Sequence, residues 1–163
     1  MGLGTSQVLS YTFDTKGLAT LYLEEFAVGD RFILEPITLT EEEIYSFAEK
    51  YDPQLIHLDP EFAAQGLFKG IIASGFHTVS AVWGQWIRAN IMGKENLGGT
   101  IDFLRFLAPV RPNDQLHTTA EVVEKIPSSK ENRVLVAIKL TVTNQNQKAV
   151  LETQCRVIIK GRS

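Results

Sequence analysis

The stretch SGFHTVSAVWGQWIRANIMG, residues 74–93, decides how the rest of the chain can fold. Phe76, Val79, Val82, Trp83, Trp86, Ile87 and Ile91 recur there at three- and four-residue spacing, the period of one side of an α-helix. A stripe this broad predicts a long buried helix, with Gly93 as its stop. Gly75 falls at the helix start, where unpaired backbone N–H groups and the helix dipole favour a negatively charged oxygen. Taken alone, the same residue reads more readily as a turn glycine.

Downstream of that helix every segment reads as strand. TIDFLRFLAPV and DQLHTTAEVVEKI are followed by RVLVAIKLTVT, in which Val134, Val136, Ile138, Leu140 and Val142 alternate with residues of the other face. AVLETQCRVII then puts Leu151, Thr153, Cys155, Val157 and Ile159 on one face, and PSSKEN and NQNQK supply the turns. Upstream, Val28-Gly29-Asp30 reads as a turn feeding a strand over 31–39. Thr40 with Glu43 makes a capping box for a helix carrying Ile44, Phe47 and Ala48. Pro53 should end that helix at about Asp52. Asp59 followed by Pro60 starts another helix, and Gly66 is its plausible stop. His57 therefore falls in a short connector, where scaffolds commonly present reactive groups.

One strand, a helical insertion and four strands in series make an α+β chain, most economically an antiparallel sheet of about five strands wrapped around the long helix. Residues 1–20, mixed in Gly, Ser and Thr, read as an extended or partly disordered lead-in to a single domain over 21–163.

Composition narrows the function classes. With 163 residues, 44% hydrophobic, the chain can bury a substantial core as one domain. A net charge of -3 argues against a nucleic-acid binder, which would carry a basic face for phosphates. The lone Cys155 cannot close an internal disulfide, and no pair of the three histidines has metal-ligand spacing, so no metal site is expected. There is no signal-peptide pattern and no run of eighteen apolar residues, which fits a cytoplasmic protein that does not enter membranes.

Within YDPQLIHLDP, residues 51–60, an acid and a histidine stand five positions apart. By itself that spacing favours a capping Asp and a satisfied loop histidine over an acid–base pair. From about Tyr22 to Lys160, however, the chain resembles the MaoC-like dehydratases of the hot-dog fold, which include the (R)-specific enoyl-CoA hydratases. The resemblance rests on FAVGDRF, on YDPQLIHLDPEFAAQGLFKGIIASGFHT and on FLRFLAPVRPNDQL. The middle block is the specific part, because it holds the acid, the histidine, the Asp-Pro helix start and the helix-opening glycine in the family's order.

That resemblance implies reversible addition of water to a 2-enoyl thioester. Asp52 and His57 would hold and activate the water and handle the α-proton, while the Gly75 N–H would face the thioester oxygen. Ser74, Phe76, Trp83 and Trp86 would be the substrate-binding set. If the helix face lines the acyl pocket as in the family, the two indoles should shorten it and favour small, branched or aromatic acyl groups; the alternative is that both pack in the core. The substrate carrier would be coenzyme A, or acyl carrier protein, with no separate cofactor. The thioester arm would enter at the interface of a homodimer or larger homo-oligomer, and Arg88, Lys94, Arg105 and Arg111 are candidates for its phosphates by charge and position alone. His77 and His117 read as structural, and Asp59 as a helix cap.

The chain departs from the family pattern in two places. Where many relatives read Asp-x-Asn-Pro-x-His, this one reads Asp52-Pro53-Gln54-Leu55-Ile56-His57. Where better-known hydratases carry a helix serine, Trp83 stands. Two other classes stay open: a hot-dog thioesterase, which would release free thiol, and an acyl-CoA-binding subunit without turnover.

Overall fold

The computed structural model describes residues 8–10, 27–92, 97–128 and 133–160. Helix α1 (Glu41–Tyr51) begins at the expected capping box: the Glu43 N–H donates to the Thr40 hydroxyl and the Glu43 carboxylate accepts the Thr40 N–H. It ends at Asp52, as the following proline requires. The segment expected to be a connector contains one helical turn, α2 (Leu55–Leu58), before α3 (Pro60–Gln65) starts. The Asp59 carboxylate caps α3 by accepting from the N–H groups of Glu61 and Phe62, and Gly66 closes it.

Helix α4 (Gly75–Ala89) buries Thr78, Val82, Gln85, Trp86 and Ala89, one face at helical spacing. Two residues of the expected apolar stripe lie off this face, since Phe76 is 62% and Ile87 43% exposed. Their inward places go to Thr78 and Gln85, which are tolerated because each donates to a backbone carbonyl: Thr78 to Ser74 and Gln85 to Glu35. The helix stops at Asn90, whose left-handed backbone (φ 49°) ends it before Gly93, a residue outside those described.

The strands after α4 are β4 (Leu97–Phe106), β5 (Gln115–Pro127), β6 (Arg133–Thr143) and β7 (Ala149–Lys160). Alternation holds as read: Leu151, Thr153, Cys155, Val157 and Ile159 are all buried, and so are the five aliphatic residues named for β6. The strand expected over 31–39 is instead two, β2 (Arg31–Ile33) and β3 (Ile37–Thr38), both antiparallel to β5. Phe32 pairs with Ala120 and Ile37 with Leu116, so one more residue separates the pairs on this side than on β5. The extra residue falls at Leu34-Glu35-Pro36. Pro36 has no N–H for a ladder, and the Glu35 carbonyl turns to Gln85 instead. Within the lead-in, Val8–Ser10 form β1, parallel to β2; the rest of residues 1–20 lies outside those described.

The sheet order is β1-β2-β5-β6-β7-β4, with β3 on β5. It exceeds the expected five strands because of β1 and the divided first strand. Val82, Trp86 and Ala89 of α4 share one apolar core with Phe32, Leu116, Val136 and Leu140 of the sheet. A single long helix held in the concavity of an antiparallel sheet is the expected hot-dog arrangement.

Candidate active site

The site is assembled where α1 ends and α4 begins. Pro53 drives Asp52 out of helical geometry (φ -151°, ψ 68°), and the Gln54 N–H folds back onto the Asp52 carbonyl at 2.7 Å. The turn of α2 then carries His57 inward, where it is 3% exposed. Its Nδ1 lies 2.7 Å from the Ile72 carbonyl oxygen. A carbonyl can only accept, so Nδ1 carries the proton and a neutral ring leaves the Nε2 lone pair bare. That Nε2 faces Asp52 Oδ2 at 3.4 Å.

Asp52 is held by two neutral donors. The Ser74 hydroxyl donates to Oδ2 at 2.6 Å and the Gln54 side-chain amide to Oδ1 at 2.8 Å. These bonds, Ser74 first and Gln54 second, keep the carboxyl below the usual carboxylate range against the opposing pull of burial, with a smaller contribution from His57. With the ring neutral, the ionised carboxylate and the imidazole Nε2 turn lone pairs toward each other. A molecule with two O–H bonds, such as water, satisfies both acceptors at once.

The Gly75 amide opens α4 and has no acceptor among the described residues. A side chain there would have to displace a ring: an added Cβ would stand 2.6 Å from Cε1 of Phe106, whose ring closes over the helix start from the end of β4. Phe106 also meets Phe76 edge-on at 6.1 Å between ring centres. Asp52, His57 and Gly75 form the polar end of a cavity of about 390 Å³ whose remaining wall is mainly apolar, including Phe68, Phe76, Phe106, Val110 and Val150.

Of the residues anticipated from sequence, Asp52, His57, Gly75 and Phe76 meet around this cavity. Ser74 sits behind it, 1% exposed, in contact with Asp52. Trp83 and Trp86 do not reach it. They stand about 12 Å and 16 Å along the helix axis from Gly75, at 1.5 Å per residue, whereas only the first turn of α4 meets the cavity. Trp86 is core, 2% exposed with its ring 6.4 Å from Phe32, which corrects its assignment as a substrate contact. Trp83 lines a different cavity with Val79, Thr100, Ile101 and Cys155, so neither indole shortens the space beside His57.

The remaining candidates separate by their contacts. Arg105 pairs with Glu152 at 3.1 Å, Arg111 donates to the Phe68 carbonyl at 2.5 Å, Arg88 is exposed on α4, and Lys94 lies outside the described residues. His77 stacks on Phe47 with ring centres 4.7 Å apart, and burial pushes its pKa down. His117 is exposed on β5. Among the described residues no three His, Cys, Asp or Glu side chains converge as metal ligands. Sequence reading missed the Ile72 carbonyl and the Phe106 ring. The first is a backbone group with no signature, and the second stood inside a recognised motif whose spacing does not say that β4 ends over Gly75.

Fold and site together define a hot-dog protein with an acid and an imidazole poised over a helix N-terminus. The chain belongs to the MaoC-like family: the model described as MaoC like domain matches residues 25–145. It is 36% identical over 139 residues to the uncharacterized protein YdeM of Bacillus subtilis, covering 85% of this chain and 98% of that one. Identity is also 36% over 121 residues to the 3-hydroxybutyryl-CoA dehydratase of Methylorubrum extorquens, covering 72% and 73% of the two chains. The crystal structure of the MaoC-like dehydratase from Rhodospirillum rubrum superposes with a TM-score of 0.83 at 32% identity, over 88% of this chain and 99% of that one.

Proposed function

We propose that this chain is a hydro-lyase that adds water to, or removes it from, a 2-enoyl thioester. The observation that carries the reading is that His57 Nε2 and Asp52 Oδ2, which keeps a lone pair beside its bond from Ser74, face each other at 3.4 Å in the same cavity as the Gly75 amide. A water donating to both is oriented with its oxygen lone pair toward the cavity. As that oxygen bonds to the β-carbon, one water proton passes to the acid–imidazole pair, and the carbon–carbon π electrons move toward the thioester oxygen, where the Gly75 N–H stabilises the charge. The pair then returns a proton to the α-carbon. Dehydration runs the same steps in reverse.

Family membership and the resemblance to a hydroxybutyryl-CoA dehydratase support an acyl thioester of coenzyme A, or of acyl carrier protein, as the substrate class. No prosthetic group enters the steps above. β4 is one of the two outer strands of the sheet, with Leu97, Ile101 and Phe106 all more than half exposed, which supports a second copy of the chain pairing there to form a homodimer.

Crotonyl-CoA and a panel of branched and aromatic enoyl-CoAs, followed by loss of enoyl-thioester absorbance, test the reading. The expected result is turnover that Asp52→Asn and His57→Ala both lower by about 10³-fold while remaining folded. Release of free thiol would make the protein a thioesterase. Binding without turnover would make it an acyl-CoA-binding subunit.

A further inference from the structure

The resemblance implies a substrate contact for Ser74, but its hydrogen bonds leave it no proton to donate to one. A hydroxyl has a single hydrogen, and Ser74 gives it to Asp52 Oδ2 at 2.6 Å. Its oxygen in turn accepts the Phe76 N–H at 3.2 Å, the cap of α4. The side chain is buried behind the cavity. One hydroxyl thus joins two parts of the chain that are separated in sequence: the α1 terminus carrying Asp52, and the first turn of α4 carrying Gly75.

We propose that Ser74 is a positioning residue whose hydroxyl fixes the Asp52 carboxylate to the first turn of α4, so that the acid, the His57 ring and the Gly75 amide keep one geometry. The inference rests on the hydro-lyase reading above for its catalytic meaning, but not for its geometry. Oδ2 is the oxygen that also faces His57, so the Ser74 bond sets which lone pair remains for water. The surroundings leave this donor prominent. His57 on α2 is the titratable neighbour of Asp52, Gln54 is neutral, and Phe106 to Val110 with Val150 bring no charge to the cavity wall. In agreement, the Ser74 bond is the largest influence holding the Asp52 carboxyl in its ionised form.

The test compares wild type with Ser74→Ala, Ser74→Gly and Ser74→Thr by two readouts. One is the pH dependence of kcat/KM on crotonyl-CoA; the other is the titration of the Asp52 carboxyl carbon by NMR, assigned with Asp52→Asn. Glycine is a tolerated N-cap, so Ser74→Gly removes the hydroxyl with little loss of capping and serves if Ser74→Ala does not fold. The expected result is an Asp52 midpoint and an acid limb that both move to higher pH in the Ala and Gly variants. kcat/KM in the acid range should fall about tenfold, the effect of one hydrogen bond to a charged group, and threonine should restore all three. A uniform loss of activity with the Asp52 titration unmoved would overturn the proposal and leave Ser74 a helix cap. A raised KM with an unmoved pH profile would overturn it in favour of a substrate contact. If wild type shows no turnover the hydro-lyase reading fails, while the carboxyl titration still decides whether Ser74 governs Asp52.

Discussion

The two ends of α4 are built for different tasks. At its start the Ser74 proton is committed to Asp52, both Asp52 oxygens have donors, and with a neutral His57 ring an imidazole nitrogen, a carboxylate lone pair and one amide are left facing a cavity. Three turns on, Trp86 fills the core against Phe32 and Gln85 ties the helix to the Glu35 carbonyl. The same helix thus offers unmet hydrogen-bonding capacity at one end and packing at the other. Substitutions at the first end should cost rate, and those at the second should cost stability.

The largest effect is expected from His57→Ala, which should lower kcat/KM about 10³-fold by removing the proton acceptor, while Trp83→Ala leaves crotonyl-CoA turnover unchanged. Steady-state kinetics on folded proteins would break the contrast if both substitutions cost the same. Next comes Trp86→Ala, expected to destabilise by about 3–4 kcal/mol in urea unfolding through loss of buried aromatic volume, with activity per folded molecule retained. Gly75→Ala should reduce kcat about 10²-fold, the effect of disturbing one oxyanion donor. Pairing it with Phe106→Ala sharpens the reason: recovery would show that the methyl acts by displacing the ring, and no recovery that it blocks the carbonyl's approach to the amide. Thr40→Ala, at a residue that does not line the cavity, should cost about 1 kcal/mol of stability through the capping box and nothing in rate.

The smallest effect concerns pH. Burial lowers the His77 pKa in the folded state below its unfolded value of about 6.5. In the window just below that value the unfolded chain binds the proton and the folded one does not, so stability should rise with pH through it. His77→Phe, which keeps the stack on Phe47, should flatten that rise in thermal melts between pH 5 and 7.

Which parts of this contrast could be read in advance follows from their physics. Local rules carried far: Thr40 with Glu43, Asp59 with Pro60 and the alternation through β6 and β7 act over a few residues, and the structure follows them. Resemblance of one motif brought Asp52, His57 and Gly75 to the same cavity. Long-range placement was not legible. Nothing local shows that Pro36 divides a strand by turning the Glu35 carbonyl to a helix glutamine, or that the Ile72 carbonyl fixes the His57 tautomer. For Trp83 and Trp86 a pocket role follows only from the resemblance, with the residue count setting Trp83 at the position of a family serine and core packing as the alternative. The count was sound, but the cavity ends within the first turn.

The most direct measurement follows oxygen. Crotonyl-CoA incubated with the wild-type protein in heavy-oxygen water should give 3-hydroxybutyryl-CoA with one heavy oxygen on the β-carbon and the thioester intact. Heavy oxygen appearing in a free carboxylic acid, or crotonyl-CoA recovered unchanged, would contradict a site that moves water across an enoyl double bond.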